Sequence, residues 1–183
     1  MKVVGLDLSL TSTGVASVVP DAVAPVMVDR IRTKPLGSSL ADRRLRLLTI
    51  VDGVRDWTRT RTDLAVVEGL AFSSRSGQAS ERAGLWWLVV DSLLARDIPV
   101  AVVTPTARAK YATGKGNAGK DEVLAAVVRR YPDVETRGND EADALMLAAM
   151  GARALGHPID DLPKTHTDAM AKVAWPELSE DQP

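Results

Sequence analysis

The order of apolar runs along the chain predicts an α/β fold, a mixed five-stranded sheet with helices on both faces. Three observations carry that expectation: short apolar runs of strand length, longer stretches with helical spacing between the later ones, and an acidic residue ending two of the runs. Val3-Val4-Gly5-Leu6 stops at Asp7, and Leu64-Ala65-Val66-Val67 stops at Glu68. Each acid interrupts what otherwise reads as a buried parallel strand. Asp and Glu are poor strand formers, and a carboxylate among buried apolar neighbours is costly unless it is paired or bound to a metal.

Taken in order, residues 2–8 read as a first strand, and Thr11-Ser12-Thr13-Gly14 as a tight turn into a second, Val15 to Val19. Met27 to Arg32 closes a three-stranded meander. Ser38 or Ser39 caps a helix whose Leu40, Leu45, Leu47, Leu48, Val51 and Val54 form its apolar face, ending near Trp57. The strand carrying Glu68 follows, then a Ser- and Gly-rich loop from Phe72 to Gly77 and a long helix from about Gln78 to Arg96. Val100 to Val103 is the fifth strand, Thr113 to Gly119 a glycine-rich segment, Lys120 to Tyr131 a helix, and Asn139 to Leu155 the last clear helix. Pro158, Pro163 and Pro176 mark an irregular tail. The expected organisation is one domain over residues 1–155 and an acidic C-terminal tail over 156–183.

Composition narrows the chemistry. A chain of 183 residues, 45% hydrophobic, has the length of one domain with a sizeable core. No apolar run approaches the roughly 18 residues needed to span a bilayer, and the chain enters a strand without a signal-peptide pattern, so no membrane partner is expected and the protein reads as soluble and intracellular. With no cysteine and only His157 and His166, thiolate sites are excluded and a histidine-rich zinc site is disfavoured. Any metal should therefore be held by oxygen, which favours magnesium or manganese. The net charge of −1 hides an uneven distribution, because residues 156–183 carry −4 and the rest +3. Between 103 and 132, Arg108, Lys110, Lys115, Lys120, Arg129 and Arg130 face only Asp121 and Glu122, a basic segment able to follow a phosphate backbone or, more simply, a solvated surface.

The last helix adds two acids. Asp140 and Glu141 stand where capping and dipole compensation alone would place them. Asp143 lies three residues beyond Asp140 on the neighbouring helix surface, and Ala142, Leu145, Met146, Ala149 and Met150 form a stripe that would press the helix onto the sheet with both acids at its border. From there they could face Asp7 and Glu68. Four such carboxylates fit two-metal phosphodiester hydrolysis, with Asp7 bridging both ions and Glu68, Asp140 and Asp143 completing the shells.

On these residues the chain resembles the RuvC-type Holliday junction resolvases of the ribonuclease H-like superfamily, and the resemblance extends to about residue 155. Val4-Gly5-Leu6-Asp7 followed by Thr13-Gly14, Val67-Glu68, Thr104-Pro105 leading through Lys110 to Gly114-Lys115-Gly116-Asn117-Ala118-Gly119-Lys120, and Asp140-Glu141-Ala142-Asp143-Ala144-Leu145 stand in that family's order. Leu8-Ser9 replaces the family's usual Pro-Gly, and Thr11 its usual Arg. The resemblance implies a ribonuclease H-like fold and a homodimer that nicks two opposed strands of a four-way DNA junction, or of other branched DNA. It implies two Mg2+ ions per active site, replaceable by Mn2+, and the cytoplasm of a bacterial or virus-infected bacterial cell. It gives Lys110 and Lys120 contacts to the scissile or neighbouring phosphates and Lys120 a role in stabilising developing charge, with Lys115 a third candidate for DNA contact, and makes Phe72 either a wedge or stacking group at the junction centre or a core anchor. The helix from Gln78 to Arg96 is the expected interface, with Ala83, Trp86, Trp87, Val90 and Leu94 outward and Leu85, Leu88, Val89 and Leu93 inward.

Competing readings are an ATPase, from the phosphate-loop pattern at Gly114 to Lys120 or from the actin-like domains that share the core, and a junction-binding protein without turnover. Asp121 stands where a phosphate loop needs Ser or Thr, and an actin-like ATPase needs two such domains where this chain has room for one.

Overall fold

The computed structural model describes residues 1–70 and 78–177. Its sheet has five strands, β1 (Val3–Asp7), β2 (Ser12–Val18), β3 (Val26–Arg32), β4 (Leu64–Glu68) and β5 (Val100–Val103), in the order β3-β2-β1-β4-β5. The first three form an antiparallel meander, and β4 and β5 run parallel to β1. This is the mixed sheet that the apolar runs predict. The sheet is covered on both faces: α1 (Leu40–Trp57) and α2 (Ala79–Leu94) enclose one core around Ile50, Val67, Leu85 and Val89, while α3 (Pro105–Thr113), α4 (Lys120–Arg130) and α5 (Asn139–Ala154) enclose the other around Val66, Tyr111, Val127 and Leu145.

Several local expectations need correction. The segment Thr11–Gly14 is not the turn; β2 already begins at Ser12, and Asp7 pairs with Gly14. The reason is Thr13, a buried β-branched residue whose hydroxyl donates to the Ser9 carbonyl at 2.8 Å and accepts the Ser9 N–H at 3.1 Å, closing the turn one step earlier. On α1, Leu40 and Leu45 are exposed, and Ile50 takes the core position. Residues 105–113 form a helix that the sequence pattern did not predict. Its signals are Thr104, whose side chain accepts the Ala107 N–H at 3.2 Å, and Pro105 in the first turn, where a missing N–H costs nothing.

Beyond Ala154 the chain is more ordered than its prolines suggest. A short helix α6 (Lys164–Thr167) and a 3-10 turn (Asp168–Lys172) lie against α3, and Ile159, Leu162, Ala169 and Trp175 pack on the core. Asp160 fastens this segment: its buried carboxylate accepts the Tyr131 hydroxyl at 2.5 Å, the Tyr111 hydroxyl at 3.0 Å and Arg153 Nη2 at 2.7 Å. Burial and the Asp160 charge push both phenols above their ordinary range.

Helix α5 is the centre of the molecule, buried from Glu141 through Ala152. It packs against β1, β2 and β4, and at Gly5 of β1 and Gly14 of β2 it does so at backbone distance, because those two residues lack side chains. A Cβ on Gly5 would overlap the Ala144 carbonyl oxygen and lie 2.5 Å from the Ala148 nitrogen, and one on Gly14 would overlap the Asp140 carbonyl. Neither glycine has a positive φ, so the requirement is space alone. Gly5→Ala should therefore lower the stability to urea by about 1–3 kcal/mol or more, as overpacking against an immovable backbone does; an unchanged unfolding midpoint would contradict this packing.

Candidate active site

The site is assembled from the ends of three elements. Asp7 is the last residue of β1 and Glu68 the last of β4, two central strands paired in parallel with Leu6 opposite Val67, so the acids emerge side by side at the C-terminal ends of neighbouring strands. The close seat of α5 on Gly14 then sets Asp140 against the adjoining strand β2, and Asp143 follows one turn deeper. Asp143 is not at the border of a packing stripe. Its side chain is only 2% exposed, because α5 is enclosed on all sides.

The capping role anticipated for the first turn falls to Glu141. It accepts the Arg137 backbone N–H and pairs with Arg30 Nε of β3 at 3.0 Å, which leaves Asp140 free to face the strand acids. Trp86 of α2 donates its indole N–H to the Glu68 carbonyl at 2.9 Å and so braces the end of β4 from the opposite face. The loop after Asp7 is held by Arg46, whose Nη2 donates to the Leu10 carbonyl at 2.6 Å.

One functional residue escaped the sequence reading: Arg108. Its side chain, 8% exposed, donates Nε–H to Glu68 and Nη1–H to Asp143, bridging an acid on the sheet to an acid on α5. In the sequence it was one more cation of a basic segment, because without a helix over 105–113 the buried set Arg108, Ala109, Tyr111 and Ala112 could not be seen to share a face. With the guanidinium between Glu68 and Asp143, no three of the described carboxylates and imidazoles converge closely enough to clasp one ion.

The acids act on one another electrostatically. Burial, reinforced by the charges of Glu68 and Asp143 and opposed by Arg108, pushes Asp7 up to about 7. Burial also raises Asp143 to about 6, with Arg108 and Lys120 opposing and Glu68 and Asp140 adding to the shift. Burial works against the charge on Arg108, but Glu68 and Asp143 outweigh it and hold its pKa above the ordinary guanidinium value.

The expected DNA-contacting lysines come from α3, the loop after it and the start of α4. Lys120, exposed at the start of α4, is near enough to act on Asp143. Lys110 is half-buried on α3, and exposed Lys115 sits in the following loop, 3.8 Å from Glu122. Phe72 lies outside the described residues. The phosphate-loop pattern from Gly114 to Lys120 follows helix α3, not a strand, so it has no strand-loop-helix cradle.

No family model matches the chain. Curated relatives do: the crossover junction endodeoxyribonuclease RuvC of Frankia alni is 36% identical over 156 residues, 81% of this chain and 76% of that protein, and the one of Nocardia farcinica is 33% identical over 155 residues, 81% and 79%. Among solved structures, Thermus thermophilus RuvC aligns with a TM-score of 0.66 at 22% identity, covering 86% of this chain and 98% of that one. The fowlpox virus Holliday junction resolvase aligns at 0.52 and 12%, covering 84% and 99%. These structures share the ribonuclease H-like fold.

The raised acid has a measurable consequence. The folded state binds the Asp7 proton more tightly than the unfolded chain, with a pKa of about 7 against 3.8, so the stability present below about pH 4 is lost as pH rises through 7. Asp7→Asn stays neutral throughout. It should stabilise the metal-free protein by about 1–3 kcal/mol at pH 8 and change it little at pH 4, read as urea midpoints; an equal effect at both would separate Asp7 from the cluster. The geometry and the sequence relationships agree, and the chain belongs to the RuvC family of crossover junction endodeoxyribonucleases.

Proposed function

We propose that this protein resolves Holliday junctions by symmetric phosphodiester hydrolysis on two opposed strands, using Asp7, Glu68, Asp140 and Asp143 as a divalent-metal site. What supports the reading is that those four acids, at the ends of β1 and β4 and the start of α5, act on one another electrostatically around Asp7, in a chain whose curated relatives are crossover junction endodeoxyribonucleases. The donor set fits a hard cation: the ligands are all oxygen, and the crowding of Glu68, Asp143 and Asp140 around Asp7 is a repulsion that a dication relieves. Two Mg2+ ions, or Mn2+ in their place, would polarise the phosphate, lower the pKa of the attacking water and stabilise the leaving oxygen.

The chain's own residues do the rest. Asp7, at the meeting point of strand and helix, would hold the ions, with Glu68, Asp143 and Asp140 completing the set of oxygen ligands. Lys120 offers its ammonium to the charge that develops on the phosphate, and Lys110 and Lys115 lead the DNA backbone toward it. Because Asp7 titrates near neutrality, proton loss accompanies metal binding, and cleavage should rise with pH through about 7.

Paired nicking requires two copies, and α2 supplies a face for the second. Trp87 is 63% exposed, and Leu88 and Leu94 are exposed beside it. Val90, expected outward, is buried, and Leu88, expected inward, is exposed. Trp87 packs edge-on against Trp86 at 5.0 Å between ring centroids, so the proposed interface is one side chain removed from the carbonyl of Glu68. The bacterial origin of the curated relatives supports the cytoplasm of a bacterial or virus-infected bacterial cell as its location. Among the described residues, no helix is long and apolar enough to cross a membrane.

Incubation with Mg2+ and labelled four-way, three-way, flap and linear DNA tests the reading. Symmetric paired nicks in the four-way junction, abolished by Asp7→Asn and reduced about 100-fold by Lys120→Ala, are expected; cutting of all branched forms alike would make this a general branched-DNA nuclease. Sedimentation should show a dimer that Trp87→Glu converts to monomer, and a monomeric wild type would contradict paired nicking.

A further inference from the structure

Arg108 occupies a position that a catalytic cation needs. Its guanidinium lies between Glu68 and Asp143, whose side chains are 16% and 2% exposed, and its charge also acts on Asp7. A buried cation bonded to two acids from different elements is a strong structural tie, since removing one partner of such a set strands a charge in a poorly solvated place. The same tie opposes metal loading. Glu68 Oε2 and Asp143 Oδ1 are taken up by the N–H groups of Arg108 and are not available to a dication while they are, and a guanidinium and a dication repel each other in that space.

The backbone around Arg108 is fixed, so only its side chain can yield. Thr104 and Pro105 anchor the start of α3, and Ala109, Tyr111 and Ala112 are buried beside it. The arginine stem has enough rotatable bonds to carry its planar head out of the cluster without moving the helix, and α3 leads into the loop of Lys115 on the side proposed for DNA.

Resting on the metal reading above, we propose that Arg108 is a resident counter-cation: it neutralises and braces the acid cluster in the metal-free protein, and divalent ions load by exchange, displacing its guanidinium from Glu68 and Asp143 onto a DNA phosphate. Metal and junction then bind with positive coupling, because the phosphate gives the displaced guanidinium a new partner and each ligand shifts the same side chain the same way. The free enzyme binds metal weakly and completes its site only on DNA.

The test is a Mn2+ titration without DNA, read by calorimetry and by the paramagnetic resonance of free Mn2+, on wild type, Arg108→Met and Arg108→Lys. Arg108→Met keeps the length of the stem and removes the charge, and it should bind Mn2+ at least about ten-fold more tightly than wild type. Arg108→Lys should fall between them. Adding a four-way junction in Ca2+-containing buffer, with nicking absent, should tighten Ca2+ binding to wild type by a larger factor than it does to Arg108→Met, where only the phosphate's own contact with the ion couples the two; an equal factor in both would overturn the exchange. Equal Mn2+ affinity in wild type and Arg108→Met would overturn the exchange while leaving the metal site intact; absence of Mn2+ binding in every protein would overturn the metal site itself.

If Arg108→Met does not fold, the wild type alone decides. The 15N resonance of Arg108 Nε should move and lose its protection from solvent exchange as Mg2+ saturates the site. A resonance unchanged at saturation would mean that the guanidinium never leaves.

Discussion

The contact on which the rest of the structure depends is the backbone-to-backbone seat of α5 on β1 and β2. Gly5 and Gly14 leave no side chain between sheet and helix, and Ala144 and Ala148 fill what remains. That contact brings the N-terminal turn of α5 against the end of β1, and it makes one acid cluster from residues separated by more than 130 positions. An ordinary helix-sheet spacing, with a layer of Leu or Val between, would leave Asp140 and Asp143 several ångströms from the strand acids.

Packing strong enough to hold four carboxylates together also sets their cost. The cluster is largely buried, burial pushes Asp7 and Asp143 toward neutrality, and Arg108 offsets part of the repulsion by pairing with Glu68 and Asp143. Stability and function are opposed at this spot, as they are wherever a site is assembled before its ligand arrives. The compensation lies elsewhere: in the Glu141–Arg30 pair that secures the start of α5, in the Asp160 knot that fastens the C-terminal segment over its far side, and in Trp86 bracing the end of β4.

Much of this was legible in the residues. Runs of Val and Leu ending in Asp7 and Glu68 read directly as strands, each ending in a carboxylate that needs a pair or a metal, and the succession of strands and helices along the chain followed from turn and helix spacing. What stayed hidden depended on tertiary contact. Asp143 looked like a border residue because one helix carries no sign of what covers its second face. Val90 and Leu88 exchanged places for the same reason, both being apolar and neither local in its preference. Arg108 was hidden behind an unpredicted nine-residue helix, although Thr104-Pro105 is a cap-and-first-turn pair that could have announced it.

The most direct measurement is anomalous diffraction from crystals of the protein grown with Mn2+. The account predicts manganese density ligated at once by Asp7 of the sheet and by Asp140 or Asp143 of α5. Manganese held by one element alone, or bound away from Asp7, would contradict it.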